Sequence, residues 1–258
     1  MRKLILITLM TISCVLFAQK VDNNLHGFFE EKGDKTFYKK FEFDGNGKVR
    51  IAGINEGDYF TRNDSLIVYP DKSIFIFKIQ KNGNLKGISN WVDEGIWISK
   101  KDSIVENKRS NPEQALDQAN LLAEYYDKTK KMSDIDALFS DETPKINNDL
   151  CEKGLSKACL NLFGLKMLEY TPGLLGDAST IASKNLQPHP ELITLSKKIV
   201  ALGNPEGHTV LASYYYVLGL KDKANEEWEK AIEKGSSKAG LAKGMIEFAE
   251  NIEVETKE

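Results

Sequence analysis

E-K-G-L-S-K-A, from Glu152 to Ala158, comes back as A-L-G-N-P-E-G from Ala201 to Gly207, and again as E-K-G-S-S-K-A from Glu233 to Ala239. In each stretch a glycine (Gly154, Gly203, Gly235) ends a helix-forming run, and a small residue (Ala158, Gly207, Ala239) stands four places further on. Glycine tolerates the left-handed conformation in which many helices stop. Each stretch therefore predicts a helix that ends, turns briefly and restarts in the opposite direction. The small residue lets the new helix approach its neighbour closely. The glycines lie 49 and 32 residues apart.

The best-formed unit runs from Gly203 to Gly235. Leu211, Ala212, Tyr215 and Gly219 fall on its first predicted helix, and Ala224, Trp228 and Ala231 on its second. In residue type and spacing this unit resembles the Sel1-like, tetratricopeptide-related repeat family. Gly154 with Ala158 and Leu162, and Gly235 with Ala239 and Gly244, repeat part of the pattern. The first departs from it by an insertion from Thr171 to Gln187, and the last by Lys243 where the family has an apolar core residue, as suits a solvent-facing terminal cap. The resemblance covers residues 112 to 250 and implies an α/α repeat solenoid that binds proteins or peptides. It also places Tyr215 at a packing position. Glu206, Thr209, Ser213 and Tyr216 would line a groove, joined from neighbouring units by Lys157 and Lys238.

The first nineteen residues have another character. Arg2 and Lys3 precede an apolar run from Leu4 to Phe17, and Ala18 and Gln19 lead into polar K-V-D-N-N. This is the layout of a secretory signal peptide, too short for a comfortable permanent membrane span. T-I-S-C, ending at Cys14, faintly resembles a lipoprotein cleavage box, but the apolar run continues through Val15, Leu16 and Phe17. Cleavage near Ala18–Gln19 is the preferred reading, with membrane attachment only if Cys14 is lipidated. The chain is then exported, to the periplasm or the outside. In such an oxidising compartment the two remaining cysteines, Cys151 and Cys159, default to a disulfide. In the cysteine-rich secreted branch of the Sel1-like family, a pair at this spacing joins the end of one repeat to the start of the next.

Residues 25 to 104 read as β-rich. Lys40 to Ile51 alternates apolar and polar residues around Asp44-Gly45-Asn46-Gly47, a hairpin signature. Ser73 to Gln80 and Leu85 to Ser89 flank Asn82–Gly83 in the same way. Asp64–Ser65 and Glu94–Gly95 start further strands, for about eight in all, as in a small antiparallel barrel or sandwich. H-G-F-F near the start and G-I-W near the end give this half a faint likeness to lipocalin-like modules. Residues 105 to 111 are polar and read as a linker. Asn111-Pro112 then opens a helix as cap and first residue, with Ala115, Leu116, Ala119, Leu122, Ala123 and Tyr126 on one side.

Catalytic patterns are missing from the sequence. His26, His189 and His208 are far apart, and there is no H-E-x-x-H, phosphate-binding loop or G-x-S-x-G. Some cysteine-rich proteins of the Sel1-like family that the C-terminal half resembles carry β-lactamase or penicillin-binder labels, yet no serine here has a lysine three places on. Asp44–Gly47 lacks the alternating oxygen ligands of a calcium loop. The net charge of −3 argues against nucleic acid as a partner.

The sequence thus predicts an α+β chain. Residues 1–19 form a signal peptide, 20–108 an antiparallel β module, and 109–258 Sel1-like repeats with a polar tail. The expected role is non-catalytic, an exported scaffold or binding protein for an unidentified protein or peptide, without cofactor or metal. The alternative is a carrier of a small apolar ligand inside the β module; a third reading, resting only on the family's labels, is weak cell-wall-directed hydrolysis.

Overall fold

The computed structural model describes residues 20–33, 35–52, 55–70, 73–100, 111–132, 140–171, 187–236 and 238–246. The leader with Cys14, the linker at 105–110, most of the 171–187 insertion and the polar tail lie outside these residues.

The N-terminal half is a closed barrel. Strands β2 (His26–Glu31), β3 (Lys40–Asp44), β4 (Lys48–Ile51), β5 (Asn55–Arg62), β6 (Ser65–Tyr69), β7 (Phe75–Ile79), β8 (Leu85–Gly87) and β9 (Ile96–Lys100) pair antiparallel in chain order. β9 then returns to β2, with Phe28 opposite Lys100 and Glu31 opposite Trp97. A short β1 (Val21–Asp22) extends the edge of β5 beyond β4. Of the two architectures open to the sequence, barrel and sandwich, this is the barrel. Among the described residues, closure leaves only the two-residue β1 with an unpaired edge.

Both hairpins sit where their turn residues place them. Asp44 Oδ1 accepts from the backbone N–H groups of Asn46 and Lys48, at 2.7 and 2.9 Å, so the aspartate serves its own turn. Alternate side chains point inward and fill the barrel with rings. Phe41 lies within 5.3–6.2 Å, centroid to centroid, of Phe43, Phe75, Phe77 and Trp97. One end is tied by the Trp97 indole N–H, which donates to the Tyr38 carbonyl at 2.9 Å. At the other, the Tyr59 hydroxyl meets the carbonyls of Asn23 and Leu25.

The C-terminal half is helical, with α1 (Pro112–Thr129), α2 (Glu142–Glu152), α3 (Ser156–Tyr170), α4 (Pro190–Ala201), α5 (Glu206–Val217), α6 (Lys221–Glu233) and a last helical segment at 238–246. The Asn111 side chain caps α1 by accepting from Gln114 N–H at 3.2 Å. Packing runs in sequence: α2 on α3, α3 on α4, α4 on α5 and α5 on α6. Leu116, assigned to the apolar side of α1 by periodicity, is exposed instead, and Ala115, Ala119, Leu122 and Ala123 form the buried face.

The two halves share a core. β6 is buried on both faces: Leu66 and Val68 point into the barrel, while Ile67 and Tyr69 join Phe60 of β5 under the helices. Phe60 meets Tyr126 and Tyr69 meets Tyr125 edge-on, at 6.0 and 5.9 Å. Arg62 Nη1 reaches both carboxylate oxygens of Asp127, at 3.0 and 2.9 Å.

Candidate functional site

Four turns in the helical half are built alike. Gly154, Gly203, Gly219 and Gly235 have φ of 98°, 79°, 76° and 84°. At each, the glycine N–H bonds three residues back and the next N–H five residues back, for example Gly154 to Cys151 and Leu155 to Leu150. This double bond pattern satisfies carbonyls that a helix end otherwise leaves unpaired. Three of these glycines were legible from the repeated stretches; Gly219, assigned by the sequence to the first helix of its unit, lies beyond the end of α5 at Val217 and is a fourth such stop.

The residue after the glycine is leucine at two turns (Leu155, Leu220), asparagine at one (Asn204) and serine at one (Ser236), and the capping varies with it. Asn204 Oδ1 accepts from Glu206 N–H at 3.0 Å, and Ser236 Oγ accepts from Ala239 N–H at 3.1 Å. Leu155 has no oxygen to offer, and Gln118 of α1 reaches over instead. Its amide donates to the Gly154 carbonyl at 2.7 Å and accepts from Ser156 N–H at 3.4 Å. Around this turn Cys151 and Cys159 form a disulfide, with Cα atoms 4.7 Å apart and both residues fully buried. The small residues behave as their positions require. Ala158 and Ala239 are fully buried, and a Cβ on Gly207 would lie 2.6 Å from the Ser196 carbonyl oxygen of α4.

The residues assigned to a groove divide. Thr209 is 7% exposed, its hydroxyl 2.9 Å from Ser236 Oγ, so it belongs to the joint between α5 and the last helical segment. Glu206 accepts from the same Ser236 hydroxyl at 2.8 Å. Ser213, half-buried, donates to the Thr209 carbonyl at 3.0 Å. Tyr216 is also half-buried, against Trp228 at 5.8 Å, with the Lys221 ammonium 6.0 Å from its ring. Lys238 is half-buried at the start of the last helical segment. Lys157 is elsewhere, its ammonium 5.1 Å from the Tyr69 ring at the junction with the barrel. Glu206, Ser213, Tyr216 and Lys238 thus share the α5–α6 end of the molecule, while Lys157 does not join them. Tyr215, assigned to the core, is half-buried, and its neighbour Tyr214 is the buried one, its hydroxyl accepting from His189 N–H at 2.9 Å.

Two clusters of ionisable groups were not foreseen. Between α3 and α4, Lys166 lies 2.6 Å from Glu191, the Tyr170 hydroxyl donates to Glu191, and the His189 ring stacks on Tyr170 at 3.7 Å. Lys166 and then Tyr170 hold Glu191 below the usual carboxylate range, while Glu191 raises both of them. Each of these three groups is held in its ordinary charge state at neutral pH, the opposite of what acid–base catalysis needs. In the second cluster His208 Nδ1 lies 2.7 Å from Glu227, which also binds Lys230 at 2.8 Å. Burial pushes Glu227 up, but the hydrogen bonds from Lys230 and His208 outweigh it and leave its pKa lowered. Among the described residues no group of histidine, cysteine or carboxylate side chains could hold a metal ion, and no helix is long and apolar enough to cross a membrane.

The barrel interior is taken up by Phe29, Phe41, Phe43, Phe75, Phe77 and Trp97 with aliphatic neighbours. A crevice lined by Gly47, Asp58, Tyr59, Gln118 and Leu122 lies outside the barrel, beneath α1, with room for about one water. No family profile, curated protein or solved structure matches this chain.

Proposed function

We propose that this chain is an exported, non-catalytic binding protein whose helices form Sel1-like α/α repeats and present a protein- or peptide-binding surface. The observation that carries the reading is the recurrence of one turn. Four glycine-marked stops share one hydrogen-bond pattern, and a small residue follows three of them at the same distance. Repeats of this kind build extended surfaces from stacked helices, and their usual use is to hold a partner. The disulfide at the first such turn supports export, since structural disulfides persist in oxidising compartments. The leader-like start of the sequence agrees with it.

The binding surface is assigned to the α5–α6 end, where Glu206, Ser213, Tyr216 and Lys238 offer mixed charge, a hydroxyl and an aromatic ring. An extended peptide could satisfy its polar groups there while packing on Tyr216. The carrier reading is not adopted, because the barrel's inward positions hold packed aromatic rings where a carrier needs space.

The test is a pull-down from the native periplasm or secretome with the wild-type chain and a Ser213→Arg/Lys238→Glu variant. Both positions are half-buried, and the Ser213 hydroxyl donates to the Thr209 carbonyl of its own helix. The captured partner should bind the variant at least about tenfold more weakly at an unchanged melting temperature. Equal capture by both chains would remove the α5–α6 surface, and no specific capture by either would remove the binding reading.

A further inference from the structure

Two connections meet at one end of the barrel. Residues 32–39 join β2 to β3, and residues 88–95 join β8 to β9. They are neighbours because β2 and β9 pair: Lys32 N–H donates to the Ile96 carbonyl at 2.7 Å, and Trp97 donates to Tyr38. Both are firmly built. The wholly buried carboxylate of Glu31 accepts from Lys35 N–H, Thr36 N–H and the Lys39 ammonium, at 3.1, 2.9 and 2.8 Å. In the second connection Ser89 Oγ bridges Ile76 N–H and the Ile74 carbonyl, and Val92 is fully buried. These pinned loops nevertheless hold out Phe37, Trp91 and Ile88, at 84%, 64% and 55% exposure. Side chains that exposed protrude as knobs, and apolar groups concentrated on a firm surface mark an interaction site.

The charges around them say what covers that site. Lys32 and Lys35 are exposed on the first loop, whose segment K-G-D-K-T-F-Y-K has more lysine than aspartate. Asp93 and Glu94 are exposed on the second loop, directly after Trp91 and Val92. An anionic membrane would attract one loop and repel the other. A two-fold axis resolves the conflict, because isologous contacts are reciprocal and set each loop against the other copy's opposite loop. The size also fits: the three knobs bring on the order of 400 Å² per copy, about half of the roughly 800 Å² that each partner gives to a stable interface. The loops' polar residues supply the rim.

We propose that this barrel end docks a second copy of the chain. Lys32 and Lys35 of each copy face Asp93 and Glu94 of the other, and Phe37, Ile88 and Trp91 close between them. The helices pack on the outer face of β5 and β6, so the dimer keeps both α5–α6 ends open and holds two binding surfaces at a fixed spacing.

Sedimentation of the purified full chain over a concentration series should give a monomer–dimer equilibrium. Lys32→Glu/Lys35→Glu and Asp93→Lys/Glu94→Lys, made separately, should each weaken self-association at least about tenfold. Mixed one to one, the two variants should associate again to within about threefold of wild type, because a wholly acidic end then meets a wholly basic one. The proposal is overturned by a wild-type chain that stays monomeric throughout. It is equally overturned by a dimer indifferent to both charge reversals, or by a mixture that remains monomeric. Binding to phosphatidylserine vesicles without self-association would assign the same surface to a membrane. The wild-type series decides even where a variant fails to fold, and Phe37→Ser, at a site 84% exposed, is a further variant that should lose the dimer and keep its fold.

Discussion

In the barrel, Phe41 is enclosed by rings from β3, β7 and β9, residues brought together from as far as fifty-six positions along the chain. In the helices, Ala158, Gly207 and Ala239 pack four residues beyond the turns that precede them, and the disulfide spans eight. The barrel is stabilised by large side chains meeting across distant strands. The helical half also buries leucines, Phe163, Tyr214 and Trp228, but adds small side chains at its turns, locally satisfied backbone and one covalent bridge. Non-local cores form only when the whole meander closes, whereas each helical turn satisfies its own backbone locally. The seam between them, Phe60, Ile67 and Tyr69 under α1 and α3, decides whether the two strategies yield one cooperative unit or two.

The largest effect should come from Phe41→Ala. Removing a fully buried ring at the hub of the barrel is expected to cost about 3–5 kcal/mol, read from urea unfolding. Helical circular dichroism and aromatic near-ultraviolet signals should still fall in one coincident transition, because the seam couples the halves. Two separated transitions would break the comparison into independent units. Cys151→Ser/Cys159→Ser comes next, at roughly 2–3 kcal/mol for the loss of a nine-residue closed loop. Hydrogen exchange should rise first around residues 150–160 and leave the barrel amides protected; loss of protection in the barrel would show that the helical turn also supports the strands.

The smallest effect belongs to the seam's ion pair. The hydrogen bond from Arg62, and after it that from Lys130, lowers the Asp127 pKa against the opposing pull of burial. A carboxylate whose folded pKa is depressed stabilises the fold above its unfolded pKa, and the contribution is lost as pH falls through the folded value. Asp127 is partly exposed, so the pair is worth at most about 1 kcal/mol. Asp127→Asn should therefore lower the melting temperature slightly at pH 7. The gap between variant and wild type should close below the ordinary aspartate range, near pH 4. A gap that persists in acid would mean that the substitution acts through packing.

How much of this was legible depended on how local the cause is. The hairpins at Asp44–Gly47 and Asn82–Gly83, the Asn111 cap and the three repeated glycine stops each rest on a few adjacent residues, and each stands where those residues put it. The uninterrupted run Leu66–Tyr69 also held a signal that simple alternation hid, since a strand apolar on both faces is covered on both. Less was visible where a neighbour decides. Three consecutive tyrosines on α5 differ only by rotation about the helix, and the packing of α4 against that helix buries Tyr214 rather than Tyr215. Thr209 looked available until Ser236, twenty-seven residues later, came to lie over it.

The amino-acid order alone determined the division into a β half and a helical half, the turns that punctuate both, and which cysteines meet. These follow from backbone preferences and short closures that act within a few residues. Tertiary structure alone decided that the β half closes into a ring-filled barrel, that its β5–β6 face is roofed by α1, and which polar residues of α5 reach water. Those outcomes depend on surfaces fitting across long separations, where many pairings are compatible with one pattern and only packing selects among them.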